Sequence, residues 1–336
     1  MTTRLFVCAA IVCALAFVTG CGDTSPAAGA ASTSGAESLK IAVIPKGTTH
    51  EFWKSIHAGA VKAERELEGV TITWKGPLKE DDRTQQIEVV ENFIAQGYSG
   101  IVLAPLDSKA LARPVGEAVG AGIPVVIIDS GLESDAYTSF VATNNFAGGK
   151  AGGERLGALL EGKGKVVMLR YQVGSASTEQ REAGFLEAMK AFPEIEIVSS
   201  DQYAGATRDS AFSAAQSLVN QHGATIQGVF TPNESSTAGM LLALRDANKA
   251  GGAIKHVGFD SSKILIEALE QGDIQGLVVQ DPFAMGYLGV KNIVAHLRGE
   301  EVAKQIDTPV ALVTPENLQE QAMQDLIKPP LDTYLK

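Results

Sequence analysis

Short apolar runs and amphipathic segments alternate along this sequence from residue 39 almost to its end. Strands are predicted where β-branched residues cluster, and helices where apolar residues recur every three or four positions. Such alternation is typical of parallel, doubly wound sheets whose strands are joined by right-handed helical crossovers. The sequence therefore predicts an α/β protein.

The alternation occurs in two series. The first has predicted strands at residues 39–44, 70–74, 100–104, 125–129 and 137–142, and helices at 52–67, 83–96 and 109–121. The second has strands at 165–169, 195–200, 227–230, 254–259, 276–280 and near 310–313, and helices at 180–192, 208–221, 235–248, 263–271 and 283–298. We therefore predict two similar halves with a ligand bound between them, beyond the carboxyl ends of the strands.

Residues 1–20 are predicted to be an export signal, because Arg4 precedes an apolar run at residues 5–18 that is short for a membrane span. The sequence VTGC at positions 18–21 resembles the lipobox of bacterial lipoproteins, in which the leader is cut before the cysteine and its sulfur is acylated. A retained membrane anchor is the alternative. Residues 21–38 then comprise the lipidated Cys21 and a flexible tether rich in Gly, Ala, Ser and Thr.

All three cysteines lie in this leader region, so the body of the protein has no thiol for a disulfide or a metal cluster. The 336 residues are 45% apolar, enough for two cores, and the net charge is −11. Nucleic-acid binding needs clustered Lys and Arg, so this charge argues against it. The five histidines lack metal-ligand spacing, and no metal site is expected.

The cluster GGKAGG at positions 148–153 lacks the spacing of either nucleotide-binding glycine motif, so no cofactor is expected. Its glycines lie four residues apart, which instead suggests a helix that approaches its neighbour closely.

The segment IAVIPKGTTHEFW at positions 41–53 joins a buried strand, a polar loop and an aromatic pair. Thr48 and Glu51 have the spacing of a capping box at a helix start, and Ser177 and Gln180 repeat this spacing in the second half. Because the loop follows the carboxyl end of a strand, four of its side chains are expected beside the cleft: Lys46, His50, Phe52 and Trp53.

Six segments in order resemble the type I periplasmic sugar-binding proteins, the ribose-binding group that shares its core with LacI-type repressors. They are IAVIPKGTTHEFWKSIHAGAVKAE, IPVVIIDSG, TEQREAGF, FTPNES, HVGFD and GLVVQDPFAMG. A repressor would carry a helix-turn-helix before the first strand, where this chain has the predicted export signal. The resemblance covers nearly the whole mature chain and implies two lobes joined by a hinge.

In that family, aromatic side chains at the first helix start stack on the sugar, and polar side chains from both halves bind its hydroxyls. The resemblance assigns stacking to Phe52 and Trp53. It assigns hydroxyl contacts to the positions that match the family's polar residues: Asp129, Arg181, Asn233, Asp260 and Gln280. These types fit, because a sugar offers C–H faces to aromatic planes and hydroxyls to carboxylates, amides and guanidinium groups.

Several positions depart from the ribose-binding pattern. His50 stands where Asn is usual, Ser130 replaces an Arg, and Ala206 falls about where a third aromatic is expected. Lys46 resembles a ligand-binding lysine of the autoinducer-2 receptors, but those receptors lack the counterparts of Asp260 and Gln280. We therefore expect a sugar or polyol, with Lys46, His50 and Ser130 among its contacts, and an autoinducer-2-type ligand as the alternative.

Each assignment also has a structural interpretation. The aromatic pair could be ordinary core, and Asp129 and Asp260, each ending a strand, could cap the next helix. Arg181 could be a solvated helix residue and Asn233 only an N-cap. Two aspartates flanking a sugar could also serve a glycosidase, but no nucleophile turn or Ser/His/Asp arrangement accompanies them, so no enzyme activity is expected.

The resemblance implies a first lobe of residues 39–143 plus 281–309 and a second lobe of residues 144–280 plus 310–336. Their hinge would comprise three chain crossings, near Thr143, Gln280 and Pro309. The expected protein is an extracytoplasmic monomer, lipid-anchored at Cys21, that delivers its ligand to an ABC permease. A receptor that passes a sugar or autoinducer-2 signal to a kinase or chemoreceptor is the alternative.

Overall fold

The computed structural model describes residues 38–335 of the chain. The predicted export signal, the lipidation site Cys21 and the tether through residue 37 lie outside the described residues. No helix within residues 38–335 combines the length and apolar character needed to cross a membrane.

Strands and helices alternate as the sequence predicts. The strands are β1 Leu39–Ile44, β2 Val70–Trp74, β3 Gly100–Leu103, β4 Val125–Ile128, β5 Ser139–Thr143, β6 Lys163–Met168, β7 Glu194–Ser199, β8 Gly228–Phe230, β9 Lys255–Phe259, β10 Gly276–Gln280, β11 Gln305–Thr308 and β12 Val310–Val313. The helices are α1 Glu51–Glu66, α2 Arg83–Ala95, α3 Ala112–Gly120, α4 Asn145–Leu159, α5 Ala176–Met189, α6 Arg208–His222, α7 Glu234–Asp246, α8 Lys263–Glu270, α9 Pro282–Leu297, α10 Gln321–Ile327 and α11 Leu331–Tyr334.

The first sheet has the strand order β11-β5-β4-β3-β1-β2, and all of its pairs are parallel. Its central strands are covered by helices on both faces, so residues on both sides of β1, β3 and β4 are buried. This explains why these strands appear in the sequence as continuous rather than alternating apolar runs.

The second sheet repeats the pattern, with the order β12-β10-β9-β8-β6-β7. Its pairs are parallel except that β12 runs antiparallel to β10. We call the first sheet with its helices the first lobe, and the second sheet with its helices the second lobe.

The chain passes between the lobes three times before α10. It leaves β5 for α4, which packs against α5, β9 and β10, and it returns from β10 to α9, which packs against α1. It then passes directly from β11 in the first sheet to β12 in the second. The expected second-lobe segment 310–336 does not end on that lobe, because α11 packs against α1 and the guanidinium of Arg65 donates hydrogen bonds to the carbonyls of Thr333 and Tyr334.

Glycine permits the closest helix contacts in each lobe. A β-carbon at Gly59 of α1 would lie 2.0 Å from the carbonyl oxygen of Phe283 in α9, and one at Gly149 of α4 would lie 1.9 Å from that of Arg181 in α5. The spacing of the glycines at positions 148–153 predicted a close helix approach, and the geometry at Gly149 confirms it.

Candidate functional site

A small cavity lies where the carboxyl ends of the two sheets face each other. Both lobes line it, as expected for paired open sheets. Nine of the ten residues predicted from the sequence lie on its wall: Lys46, His50, Phe52, Trp53, Asp129, Arg181, Asn233, Asp260 and Gln280.

Asp129 and Asp260 occupy equivalent places, each immediately after a central strand. Both have left-handed backbone conformations, with φ of 62° and 67° respectively. This conformation costs about 1–2 kcal/mol for a residue other than glycine, and such strain often accompanies functional sites. Both residues line the cavity.

The two aspartates have different partners. Asp129 pairs with the ammonium group of Lys46 at 3.1 Å. Asp260 accepts hydrogen bonds from Gln280 Nε2 at 2.7 Å and from the backbone amide of Glu234 at 3.0 Å. Asp260 therefore caps a helix, but that helix is α7 rather than the following helix that the sequence suggested.

Burial raises the pKa of Asp260 to about 6, although the nearby Arg181 guanidinium and the hydrogen bond from Gln280 act in the opposite direction. The neighbouring carboxylates Asp129 and Glu234 add to the rise.

Lys46 joins the two lobes. Besides its contact with Asp129, its ammonium group donates to the hydroxyls of Ser175 and Ser177, at 3.3 and 3.1 Å, on the second lobe. These three partners match the three donors of an ammonium group. Lys46 thus stabilises contact between the lobes and has no donor left over in this arrangement.

Phe52 and Trp53 form the aromatic part of the wall. Their rings meet edge to face, with centroids 5.0 Å apart. The indole nitrogen of Trp53 donates to Glu80 Oε1 at 2.7 Å, which fixes the orientation of the ring. Both residues also pack into the first-lobe core, so the core interpretation and the cavity assignment describe different parts of the same side chains.

Glu80 contacts three other side chains of the wall and was not predicted from the sequence. Besides Trp53, it pairs with His50 Nδ1 at 2.6 Å and accepts a hydrogen bond from the hydroxyl of Tyr171, on the second lobe, at 2.6 Å. Burial alone would raise the pKa of Glu80, but His50 and these hydrogen bonds lower it to about 2. Burial likewise opposes the charge on His50, yet Glu80 and Glu234 raise the pKa of that imidazole.

Arg181 is buried, so the interpretation as a solvated helix residue is wrong. Its guanidinium donates to Asn145 Oδ1 at 2.8 Å and to the carbonyl of Pro232 at 2.9 Å, and it lies over the ring of Phe259 at 4.5 Å. It is 3.9 Å from Asp260, close enough for attraction but too far for a hydrogen bond. The arginine therefore organises the second-lobe wall as well as lining the cavity.

Asn233 is an N-cap, as the structural interpretation proposed. Its side chain accepts from the amide of Ser236, and the Ser236 hydroxyl completes a capping box for α7. The same residue lines the cavity, because the start of α7 points into the cleft.

Three local predictions differ from the structure. The hydroxyl of Ser130 accepts from the amide of Ser177 at 3.1 Å, and Ser130 is not on the cavity wall. Neither α1 nor α5 has a side-chain cap, so both capping boxes predicted for these helices are wrong. Instead, the carboxylate of Glu51 accepts from the amide of Lys263 at the start of α8, across the cleft.

Five wall residues were missed: Glu80, Tyr171, Ser177, Thr178 and Glu234. Glu234 had a detectable signal, because it directly follows Asn233 at a helix start facing the cleft. Glu80 and Tyr171 had none, since each follows a strand by a loop whose path cannot be read from spacing. Within residues 38–335, no three His, Cys, Asp or Glu side chains are placed to hold a metal ion.

Two α/β lobes that enclose aromatic rings, carboxylates, an amide and a guanidinium in a shared cleft define a solute-binding protein. The chain belongs to the periplasmic binding protein domain family, whose profile matches residues 41–301. This confirms both the α/β fold class and the family resemblance predicted from the sequence.

Named relatives are binding proteins rather than enzymes, in agreement with the expectation for this chain. The D-ribose/D-allose-binding protein of Pseudomonas aeruginosa is 30% identical over 83% of this chain and 89% of its own length. The D-allose-binding periplasmic protein of Escherichia coli is 30% identical over 78% of this chain and 86% of its own length.

Solved structures show the same fold. A carbohydrate transporter solute-binding protein from Agrobacterium radiobacter, in complex with D-arabinose, has a TM-score of 0.83 and 35% identity, covering 88% of this chain and 100% of its own. An ABC transporter solute-binding protein from Agrobacterium vitis with bound D-fucose has a TM-score of 0.83 and 34% identity, covering 86% of this chain and 100% of its own.

Proposed function

We propose that this protein is the extracytoplasmic binding component of an ABC transporter and binds a monosaccharide or polyol in the cleft between its lobes. The composition of the cavity wall carries this proposal. Phe52 and Trp53 offer aromatic surface, while Asp129, Asp260 and Gln280 offer hydroxyl partners. Relatives named for ribose and allose, and structures holding arabinose and fucose, support the same ligand class.

Hinge closure about the chain crossings near Thr143, Gln280 and Pro309 is part of the proposal. Several contacts join the lobes around the cavity: Lys46 to Ser175 and Ser177, and Glu80 to Tyr171. A sugar that touches both walls interacts better with this closed arrangement than with an open one, and therefore shifts the population toward it. The closed form would dock on the permease as a monomer, held to the membrane by the lipid on Cys21.

The arrangement of Lys46 favours a sugar over an autoinducer-2-type ligand. A lysine that binds ligand needs a free donor, whereas Asp129, Ser175 and Ser177 engage the ammonium group here. Asp260 and Gln280, which the autoinducer-2 receptors lack, are joined to each other at 2.7 Å on the cavity wall. Output to a signalling partner instead of a permease remains compatible with the same site.

Tryptophan fluorescence tests the ligand class directly. The chain has two tryptophans: Trp53 lies on the cavity wall, and Trp74 is stacked on His57 with centroids 4.5 Å apart. A Trp74→Phe variant therefore reports on the cavity alone. Titration with D-ribose, D-allose, D-arabinose, D-fucose, xylitol and autoinducer-2 is expected to change its emission with at least one sugar or polyol at micromolar concentration, equivalent to about 8 kcal/mol.

A matched Trp53→Phe variant should lose the fluorescence change while calorimetry still detects binding. Response to autoinducer-2 alone would replace the proposed ligand class, and binding of none of the sugars or polyols by either method would refute it. A ligand that binds the native fold should also raise its melting temperature.

A further inference from the structure

Two acceptors on the cavity wall have no hydrogen-bond partner among the described residues. They are Oε2 of Glu234 and Oε1 of Gln280, both on the second lobe and both buried. Buried polar atoms are nearly always paired, so each orphan calls for an explanation. Their position suggests that the missing partner is a ligand.

The two carboxylate oxygens of Glu234 have different surroundings. The other carboxylate oxygen, Oε1, is hydrogen-bonded to Arg208. The nearest cationic group to Oε2 on the first lobe is His50 Nδ1, which lies 3.9 Å away and is already paired with Glu80 at 2.6 Å. Glu234, on the cavity wall, thus has one carboxylate oxygen paired with an arginine and the other without a hydrogen-bond partner among the described residues.

We propose that Glu234 determines specificity, its free oxygen accepting a hydrogen bond from one ligand hydroxyl while Gln280 Oε1 accepts one from another. This inference rests on the proposed function, because it takes the ligand to be a sugar or polyol. Glu234 would be a ligand-contacting residue that neither the sequence motifs nor the resemblance assigned.

The consequence for specificity follows from the cost of a buried acceptor left without a hydrogen bond. A sugar that lacks the matching hydroxyl leaves Oε2 of Glu234 without a hydrogen bond, and sites built around a hydroxyl discriminate strongly against analogues without it. A charge-assisted hydrogen bond corresponds to a difference of roughly 10- to 100-fold in affinity. A ligand with its own negative charge at this place would be repelled, since Asp260 and Glu234 already lie there.

A double-mutant cycle between the protein and the sugar tests the proposal. Native protein and Glu234→Gln are titrated by calorimetry with D-ribose, D-allose and D-arabinose, and then with the monodeoxy derivatives of whichever of these binds. Glu234→Gln is expected to weaken the parent sugar roughly 10-fold or more. One deoxy derivative should bind both proteins with nearly equal affinity, which identifies the hydroxyl that Glu234 contacts.

Glu182→Gln is the matched control. Glu182 is likewise a buried carboxylate paired with a more exposed arginine, Arg170, but it is not on the cavity wall. Glu182→Gln should leave unchanged the loss of affinity that each deoxy substitution causes. Thermal melts of both variants check that they fold. D-ribose 5-phosphate serves as the anionic probe and is expected to bind native protein more weakly than D-ribose.

The outcomes separate this inference from the proposed function. If a parent sugar binds but Glu234→Gln leaves its affinity unchanged, or weakens every deoxy derivative by the same factor as the parent, the assignment of Glu234 is overturned while the sugar-binding function stands. If neither sugars nor polyols bind the native protein, the proposed function fails and this inference falls with it.

Discussion

Replacing Glu80 with glutamine removes a negative charge that the structure encloses between the lobes. The carboxylate contacts three different side chains: His50 Nδ1, Trp53 Nε1 and the hydroxyl of Tyr171. Glutamine preserves the size of the side chain and one acceptor oxygen. Glutamine cannot form the ion pair with His50. Its NH₂ group would also face hydrogen-bond donors that the carboxylate oxygen of Glu80 accepts from.

The magnitude follows from the pKa of Glu80. A fall from 4.5 to about 2 in the folded protein corresponds, at about 1.4 kcal/mol per pKa unit, to about 3 kcal/mol of stabilisation. Because the folded pKa lies below the unfolded one, this stabilisation is fully present above pH 4.5. It is lost as the pH falls from 4.5 toward 2.

Thermal unfolding over a range of pH measures this contribution. At pH 7, Glu80→Gln is expected to lower the melting temperature by about 6 °C, at about 2 °C per kcal/mol for a chain of this size. The difference in melting temperature between native protein and variant should narrow to about half by pH 3. At that pH Glu80 is protonated in the unfolded chain, so part of the free energy gained by its charge in the folded protein is lost.

Glu182→Gln provides the contrast. Burial raises the pKa of Glu182 despite hydrogen bonds from the Tyr171 amide and Arg170. Folding therefore favours the protonated form of Glu182, so the difference in melting temperature between native protein and this variant should not narrow below pH 4.5. A Glu80→Gln gap that is equal at pH 3 and pH 7, or absent at pH 7, would refute the argument that the Glu80 charge stabilises the fold.

Two further predictions concern packing and closure. Gly149→Ala places a methyl group 1.9 Å from the carbonyl oxygen of Arg181 and should destabilise the protein by at least about 2–3 kcal/mol, measured by thermal or urea unfolding. The control is Gly116→Ala in α3, where a β-carbon would have nothing within 4 Å. That variant should be neutral or stabilising by up to about 1 kcal/mol. Glu51→Gln weakens the contact with the first amide of α8 across the cleft, so it should reduce affinity for every bound sugar by the same factor of roughly 2–5. Glu66→Gln, on the same helix but remote from the cleft, should leave affinities unchanged; loss of binding to one sugar alone would contradict a role for Glu51 in closure.

Sequence patterns predicted most of the secondary structure because buried parallel strands need continuous apolar runs. The runs at β1, β3 and β4 are buried on both faces and stand out clearly. Helix α4 was not in the predicted series of helices, because its repeated glycines disfavour a helix; only the four-residue glycine spacing indicated one, and close packing on α5 stabilises it. Strand β11, with the sequence QIDT, was missed because its edge position requires no apolar pattern.

The residues of the cavity wall likewise include some that the sequence predicts and some features that only the tertiary structure shows. Asp129 and Asp260 could be found because each ends an apolar strand, and the strand ends of an open sheet meet at one edge. Their left-handed backbone and their different partners are tertiary features. Arg181 could be matched by motif, but its burial among Asn145, Pro232 and Phe259 could not.

By itself, the sequence determined two α/β halves, a ligand between them and a wall of aromatic and polar side chains. Those properties follow from local periodicity and from residues that end strands. Only the tertiary structure decided that Glu80 connects His50, Trp53 and Tyr171, and that one oxygen of Glu234 has no hydrogen-bond partner within residues 38–335. Such contacts join residues far apart in the chain, so their geometry depends on how the two lobes meet.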